Sequence, residues 1–150
     1  MPKVSAPPTD QHDPFNLVRF TSAQETIYEQ ACAELRSGRK RTHWMWFIFP
    51  QLDGLGYSST AKHYAIKSRE EARHYLDHPV LGKRLLASAA IVLDLEGRSA
   101  WDIFGSPDDL KLKSSMTLFA VVSEPDSVFA RVLDMYFHRQ RDSKTLTLLE

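Results

Sequence analysis

His43-Trp44-Met45-Trp46-Phe47-Ile48-Phe49-Pro50-Gln51 is the stretch that decides the fold. The apolar run from Trp44 to Phe49 is short enough for either a buried strand or a short helix, and its pattern does not separate them. Pro50 ends the element in both cases, because proline disfavours helical backbone in the residue before it and cannot donate a ladder hydrogen bond. The neighbours decide. Helix signals flank the run on both sides, so it is expected to be a short buried helix in an all-α chain.

Upstream, Asp13-Pro14 reads as a cap followed by proline at the first helical position, leading into Phe15, Leu17, Val18 and Phe20. Ser22-Ala23-Gln24-Glu25 matches a capping box. The helix it opens places Ala23, Ile27, Ala31 and Leu35 on one stripe, with Gly38 as its stop. Downstream, Ser59 caps a short helix and Ser68-Arg69-Glu70-Glu71 opens another that ends near His78-Pro79. Val80 to Leu95 is the strongest apolar helix. Ser99 caps a single turn, and Ser106-Pro107-Asp108-Asp109 and Ser123-Glu124-Pro125-Asp126 each read as a helix start. Asp142 or Ser143 begins a last short piece. The sum is one compact domain over 13–150, of about seven helices, several short, around a buried aromatic segment. Residues 1–12 carry three prolines and no periodicity, which predicts a disordered leader.

A chain of 150 residues, 43% hydrophobic and 25% charged, is long enough for one ordinary globular core. Its 19 basic and 19 acidic residues cancel, so no global field draws it to nucleic acid or to an anionic membrane. No apolar run approaches the roughly 20 residues of a membrane span, and the start of the chain lacks a secretory pattern. A cytoplasmic protein is expected. The lone Cys32 excludes an internal disulfide and reads as a buried thiol. His74 and His78 share a helix face, but two ligands do not complete a metal site, so neither a metal nor another cofactor is implied.

The chemistry gathers around the aromatic run. Arg39, Lys40 and Arg41 precede it, and Gly54 to Ser59 forms a turn rich in glycine and hydroxyls. Trp44 and Trp46 offer flat faces for a ring. Arg41, Lys62 and Lys113 suit anionic groups, and Gln51, Tyr57, Ser58, Ser59, Tyr64 and Ser114 supply hydrogen bonds. His43 is the candidate general acid or base, since its ordinary pKa lies near neutrality. For each there is a plain structural alternative: aromatic core, solvated helix end, tight turn with its cap. One expectation is a small-molecule pocket for a nucleotide or ADP-ribose-like anion, with hydrolysis the reaction considered. The other is a non-catalytic protein-interaction or regulatory module with an unidentified protein partner. Nucleic acid ranks third, because only the local Arg-Lys-Arg run favours it.

Residues 13 to 149 resemble an uncharacterised family, the domain-of-unknown-function family eighteen-ten. The resemblance rests on Asp13-Pro14-Phe15, Gly38-Arg39-Lys40-Arg41 with His43 through Gln51, and Gly54-Leu55-Gly56. It extends to Ser58-Ser59, Leu81-Gly82, Ile103-Phe104-Gly105 and Lys113 through Phe119. It implies a mostly helical fold and brings no activity with it. A slighter similarity is to the NADAR family, which acts on ADP-ribose-type conjugates. Tyr57 and Ser59 fit its pattern, whereas Ala61 and Lys62 stand where that family has Glu and His. That likeness implies a ligand class, without the carboxylate its chemistry uses.

Overall fold

The aromatic run folds as a single helical turn, Met45–Ile48, that is buried on nearly every side. Trp44, Met45, Phe47, Ile48 and Phe49 all lie in the core, while Trp46 is half-buried. A segment enclosed this completely has no polar face, so its sequence carries no periodicity. Phe49 leaves the helical region ahead of Pro50. Leu52 then pairs with Ile66 in an isolated parallel bridge, held by Asp53 N–H to the Ile66 carbonyl and Ile66 N–H to that of Gln51.

The computed structural model describes residues 13–150, so the leader expected over 1–12 lies outside the described residues. Ten helical segments occur among them, and six reach seven residues. They are α1 Val18–Gln24, α2 Tyr28–Arg36, α3 Met45–Ile48, α4 Ser59–Tyr64 and α5 Arg69–Asp77. There follow α6 Leu81–Asp94, α7 Ala100–Phe104, α8 Asp108–Val121, α9 Val128–Phe137 and α10 Ser143–Leu148.

At the centre lies α8, packed against α5, α7, α9 and α10. Every residue from Ser114 to Ala120 is buried. The polar residues of this stretch are enclosed along with the apolar ones. Ser114 and Thr117 become compatible with the core by donating to the carbonyls of Leu110 and Lys113 one turn back. Ser115 differs, since its hydroxyl is buried with no hydrogen-bond partner among the described residues. Removing an unpaired polar atom removes its desolvation penalty, so Ser115→Ala is expected to be neutral or about 1 kcal/mol stabilising. A lower urea midpoint would contradict this.

Five boundaries differ from the sequence expectation. The carboxylate of Asp13 accepts the N–H groups of Leu17 and Val18, so α1 nucleates upstream and Ser22 falls inside it instead of capping. The expected helix through Leu35 breaks at residues 25–27, where Gln24 turns inward to donate to the Phe47 carbonyl and the Tyr75 hydroxyl. Ser58, one residue before the expected cap, accepts from Ala61 N–H and starts α4. At α8 the cap position is Pro107, which has no side-chain hydrogen bond, and α9 starts from Ser127 rather than Ser123.

Ser68, Ser99 and Asp142 cap as expected, and Ser99 forms a full capping box with Asp102. The histidine pair, His74 on α5 and His78 just after it, has structural partners. His78 Nδ1 accepts from the N–H groups of Val80 and Leu81 at the start of α6, and the His74 ring packs on Phe15.

Candidate functional site

Glu34 organises the basic-aromatic segment from beneath. It sits on the inner side of α2, only 8% exposed. One carboxylate oxygen accepts from the N–H groups of Arg41 (2.7 Å) and Thr42 (3.0 Å) and from the indole of Trp44 (3.0 Å). The other accepts from the Thr42 hydroxyl (2.6 Å) and the Gln30 amide (3.0 Å). Burial by itself would raise its pKa. The Thr42 hydroxyl, the two backbone N–H groups and Gln30 outweigh that and hold it near 2, below the ordinary 4.5. Trp44 is therefore core, its polar atom satisfied and its ring fully enclosed.

A second buried charge fixes the loop beyond the run. Arg19 donates to the carbonyls of Phe15, Asn16, His63 and Ala65 and forms a 2.6 Å ion pair with Glu71. Glu71 also accepts the Lys67 N–H. This clamp holds the C-terminal end of α4, and with it the segment that carries Tyr57 and Ser58.

The groove beside that segment has a volume of about 470 Å³. Trp46, Gln51, Leu55, Gly56, Tyr57, Ser58 and Ala61 line it from one part of the chain. Pro107, Leu110, Lys111 and Ser114 line it from the start of α8, and Asp142 and Lys144 from around α10. Each of its two large aromatic side chains has a lysine against it. The Lys111 ammonium lies 5.5 Å from the Trp46 ring centroid, and the Lys144 ammonium lies 5.7 Å from that of Tyr57 and 3.2 Å from its hydroxyl. Asp108 stands 3.6 Å from Lys111 and 2.9 Å from Lys40, so Lys111 is partly balanced. Lys144 has no carboxylate within ion-pair distance among the described residues.

The candidates named from sequence divide accordingly. Trp46, Gln51, Tyr57, Ser58 and Ser114 line the groove, and Tyr64 lines a niche of about 10 Å³ adjoining it. His43, Arg41, Ser59 and Lys62 are exposed and outside that lining. Lys113 points elsewhere, 6.0 Å from the Phe137 ring centroid. Sequence reasoning missed Lys111 and Lys144 as the cations, and it missed Glu34. Lys111 stands on α8 two residues before Lys113. Lys144 is 87 residues from Tyr57, and no local pattern links them.

Chemically, the groove offers ring faces, ammonium groups and hydrogen bonds. Its carboxylate is committed: Asp142 caps α10 through Thr145 N–H and also accepts the Thr145 hydroxyl.

The family described as "Protein of unknown function (DUF1810)" matches residues 14–149. Among solved structures, the conserved hypothetical protein Rv1873 from Mycobacterium tuberculosis is similar, with 51% identity and a TM-score of 0.90. The similarity covers 91% of this chain and 98% of that one. No curated protein matches the chain.

Proposed function

The chain belongs to the DUF1810 family, and from that premise we propose that the groove between Trp46 and Tyr57 binds a small anion bearing a flat ring, of nucleotide or ADP-ribose type. The observation that carries this reading is the pairing of each aromatic wall with a lysine in one groove of ligand size. The ring stacks on the half-buried indole of Trp46. Lys144, which has no carboxylate partner among the described residues, takes the phosphate, and Lys111 adds a second positive charge. Gln51 and Ser58 supply hydrogen bonds that orient the ring or sugar.

Calorimetric titration with ADP-ribose, ADP and adenosine tests the assignment. ADP-ribose and ADP are expected to bind and adenosine to bind at least about tenfold more weakly, because it lacks the charge that the lysines recognise. Lys144→Ala is expected to weaken ADP about tenfold, and Trp46→Ala by about 1–3 kcal/mol, the worth of one stacked ring. Equal affinity for adenosine and ADP, or no binding at millimolar concentration, would sink the idea. Binding is the step these residues support. Hydrolysis is not part of this reading, because His43, the expected general acid or base, lies outside the lining.

The exposed Tyr57 and Leu110 at the groove favour a second reading, a peptide-binding module without catalysis. It predicts that a Tyr57→Ala variant loses a protein ligand while its ADP titration stays blank.

A further inference from the structure

A second groove, of about 500 Å³, lies between the basic segment after α2 and the short helix α7. Arg39, Lys40, Arg98, Trp101, Asp102 and Gly105 define it. The geometry points to a second binding site here, for a nucleoside diphosphate held by paired arginines and a stacking tryptophan. This proposal is independent of the one for the Trp46 groove.

Three observations lead to it. The first is the placement of Trp101. Helix α7 spends Ala100, Ile103 and Phe104 on the core and leaves Trp101 outward, 63% exposed. An exposed apolar side chain alone needs no explanation, but this one is presented by a rigid mount. The Ser99–Asp102 capping box fixes the start of α7, and Lys40 N–H donates to the Ile103 carbonyl at 2.7 Å, tying the basic segment to it.

The second observation is the state of the charges. Lys40 is already matched by Asp108 at 2.9 Å, with its ammonium 5.1 Å from the Trp44 ring centroid. Asp102 is committed to its capping box. Arg39 and Arg98 are exposed, and neither has a carboxylate within ion-pair distance among the described residues. The groove thus keeps two guanidinium groups outside any ion pair among the described residues, although the Asp102 carboxylate is near enough to feel Arg98, and their planar fork matches phosphate oxygens.

The third observation is that Arg98 has a seat. Gly38 has a φ of +82°, and a Cβ there would come within 2.5 Å of Arg98 Nε. The bare backbone lets the guanidinium lie against the turn, where Nη1 reaches the Gly38 carbonyl at 3.5 Å. Arginine held beside an exposed indole can take a diphosphate while the base stacks on Trp101. A nucleoside diphosphate fits better than a nucleic acid strand, because the chain as a whole is neutral and offers no extended basic track.

The test follows the three indole N–H resonances of the ¹⁵N-labelled full chain, assigned with Trp101→Phe, during titration with ADP. The expected result is a saturating shift at Trp101. It should weaken at least about tenfold in Arg39→Ala/Arg98→Ala and persist in Lys144→Ala. Arg39→Ala alone, which leaves the Gly38 seat untouched, should weaken it in the same direction. An unchanged Trp101 response in either arginine variant overturns the proposal. So does a shift confined to Trp46, which would leave the first groove's assignment standing. A Trp101 shift without one at Trp46 supports this site and counts against the first. A shift with a thymidine oligomer but none with ADP overturns the proposal in favour of a single-stranded nucleic acid.

Discussion

Gly82→Ala is expected to be among the most destabilising single-methyl additions in the chain, costing about 3 kcal/mol or more. Gly82 lies in the first turn of α6, just after the corner that joins it to α5. A Cβ there would fall far inside contact distance of the Leu76 carbonyl oxygen, with the Leu76 carbonyl carbon close behind. That neighbour is backbone within a helix, so no rotamer change relieves the clash. The corner itself is fixed by His78 Nδ1 and by the Gly82 N–H donating to the His78 carbonyl. Relief requires α5 and α6 to separate, and both carry core residues, among them Tyr75, Leu81 and Leu85. Against a total stability of about 5–15 kcal/mol, this should lower the urea midpoint severely or prevent soluble expression. Gly97→Ala is the control: nothing lies within 4 Å of its added methyl, and its φ of +69° leaves only backbone strain of about 1 kcal/mol. Equal losses in the two variants would refute the steric account.

The second large effect belongs to Glu34. Its folded pKa near 2 lies below the ordinary 4.5, so its contribution is complete above about pH 4.5 and is lost as pH falls toward 2. Over that window the ionised group accounts for about 3 kcal/mol of stability. Glu34→Gln keeps the shape but replaces one acceptor oxygen with a donor, facing N–H and O–H groups that themselves donate. A loss of about 3 kcal/mol at pH 7 is expected, with a stability profile flatter than wild type between pH 4.5 and 2. Trp44 shares its acceptor oxygen with two backbone N–H groups, and its emission should move to the red if the segment loosens. A Glu34→Gln protein with wild-type stability and acid profile would show that the network contributes little.

The fold class was legible because helix signals are local. Ser68, Ser99 and Asp142 cap where serine and aspartate should, and the stripe on α6 marks a helix without any tertiary knowledge. What failed was the choice among competing caps. Ser22, Ser106 and Ser123 are chemically able to cap, but Ser22 lies inside α1, whose first N–H groups go to Asp13, and Pro107 and Ser127 stand at the starts of α8 and α9. The aromatic run was legible as core, and its Trp46 and Gln51 border a groove. Trp44 and Trp46 look alike in sequence, yet one indole is enclosed over Glu34 and the other borders a groove. A buried carboxylate such as Glu34 leaves no local mark, since its partners are two backbone N–H groups and three side chains spread from Gln30 to Trp44.

The Tyr57–Lys144 contact spans 87 residues and closes the groove with chain from both halves of the molecule. Neither half owns the site. The groove exists only where the intervening core has already condensed, so a ligand held there draws on the cooperativity of the entire domain. Occupancy by the proposed ligand and the folding equilibrium would be one linked quantity, and a fragment that ends before α10 would lack Lys144.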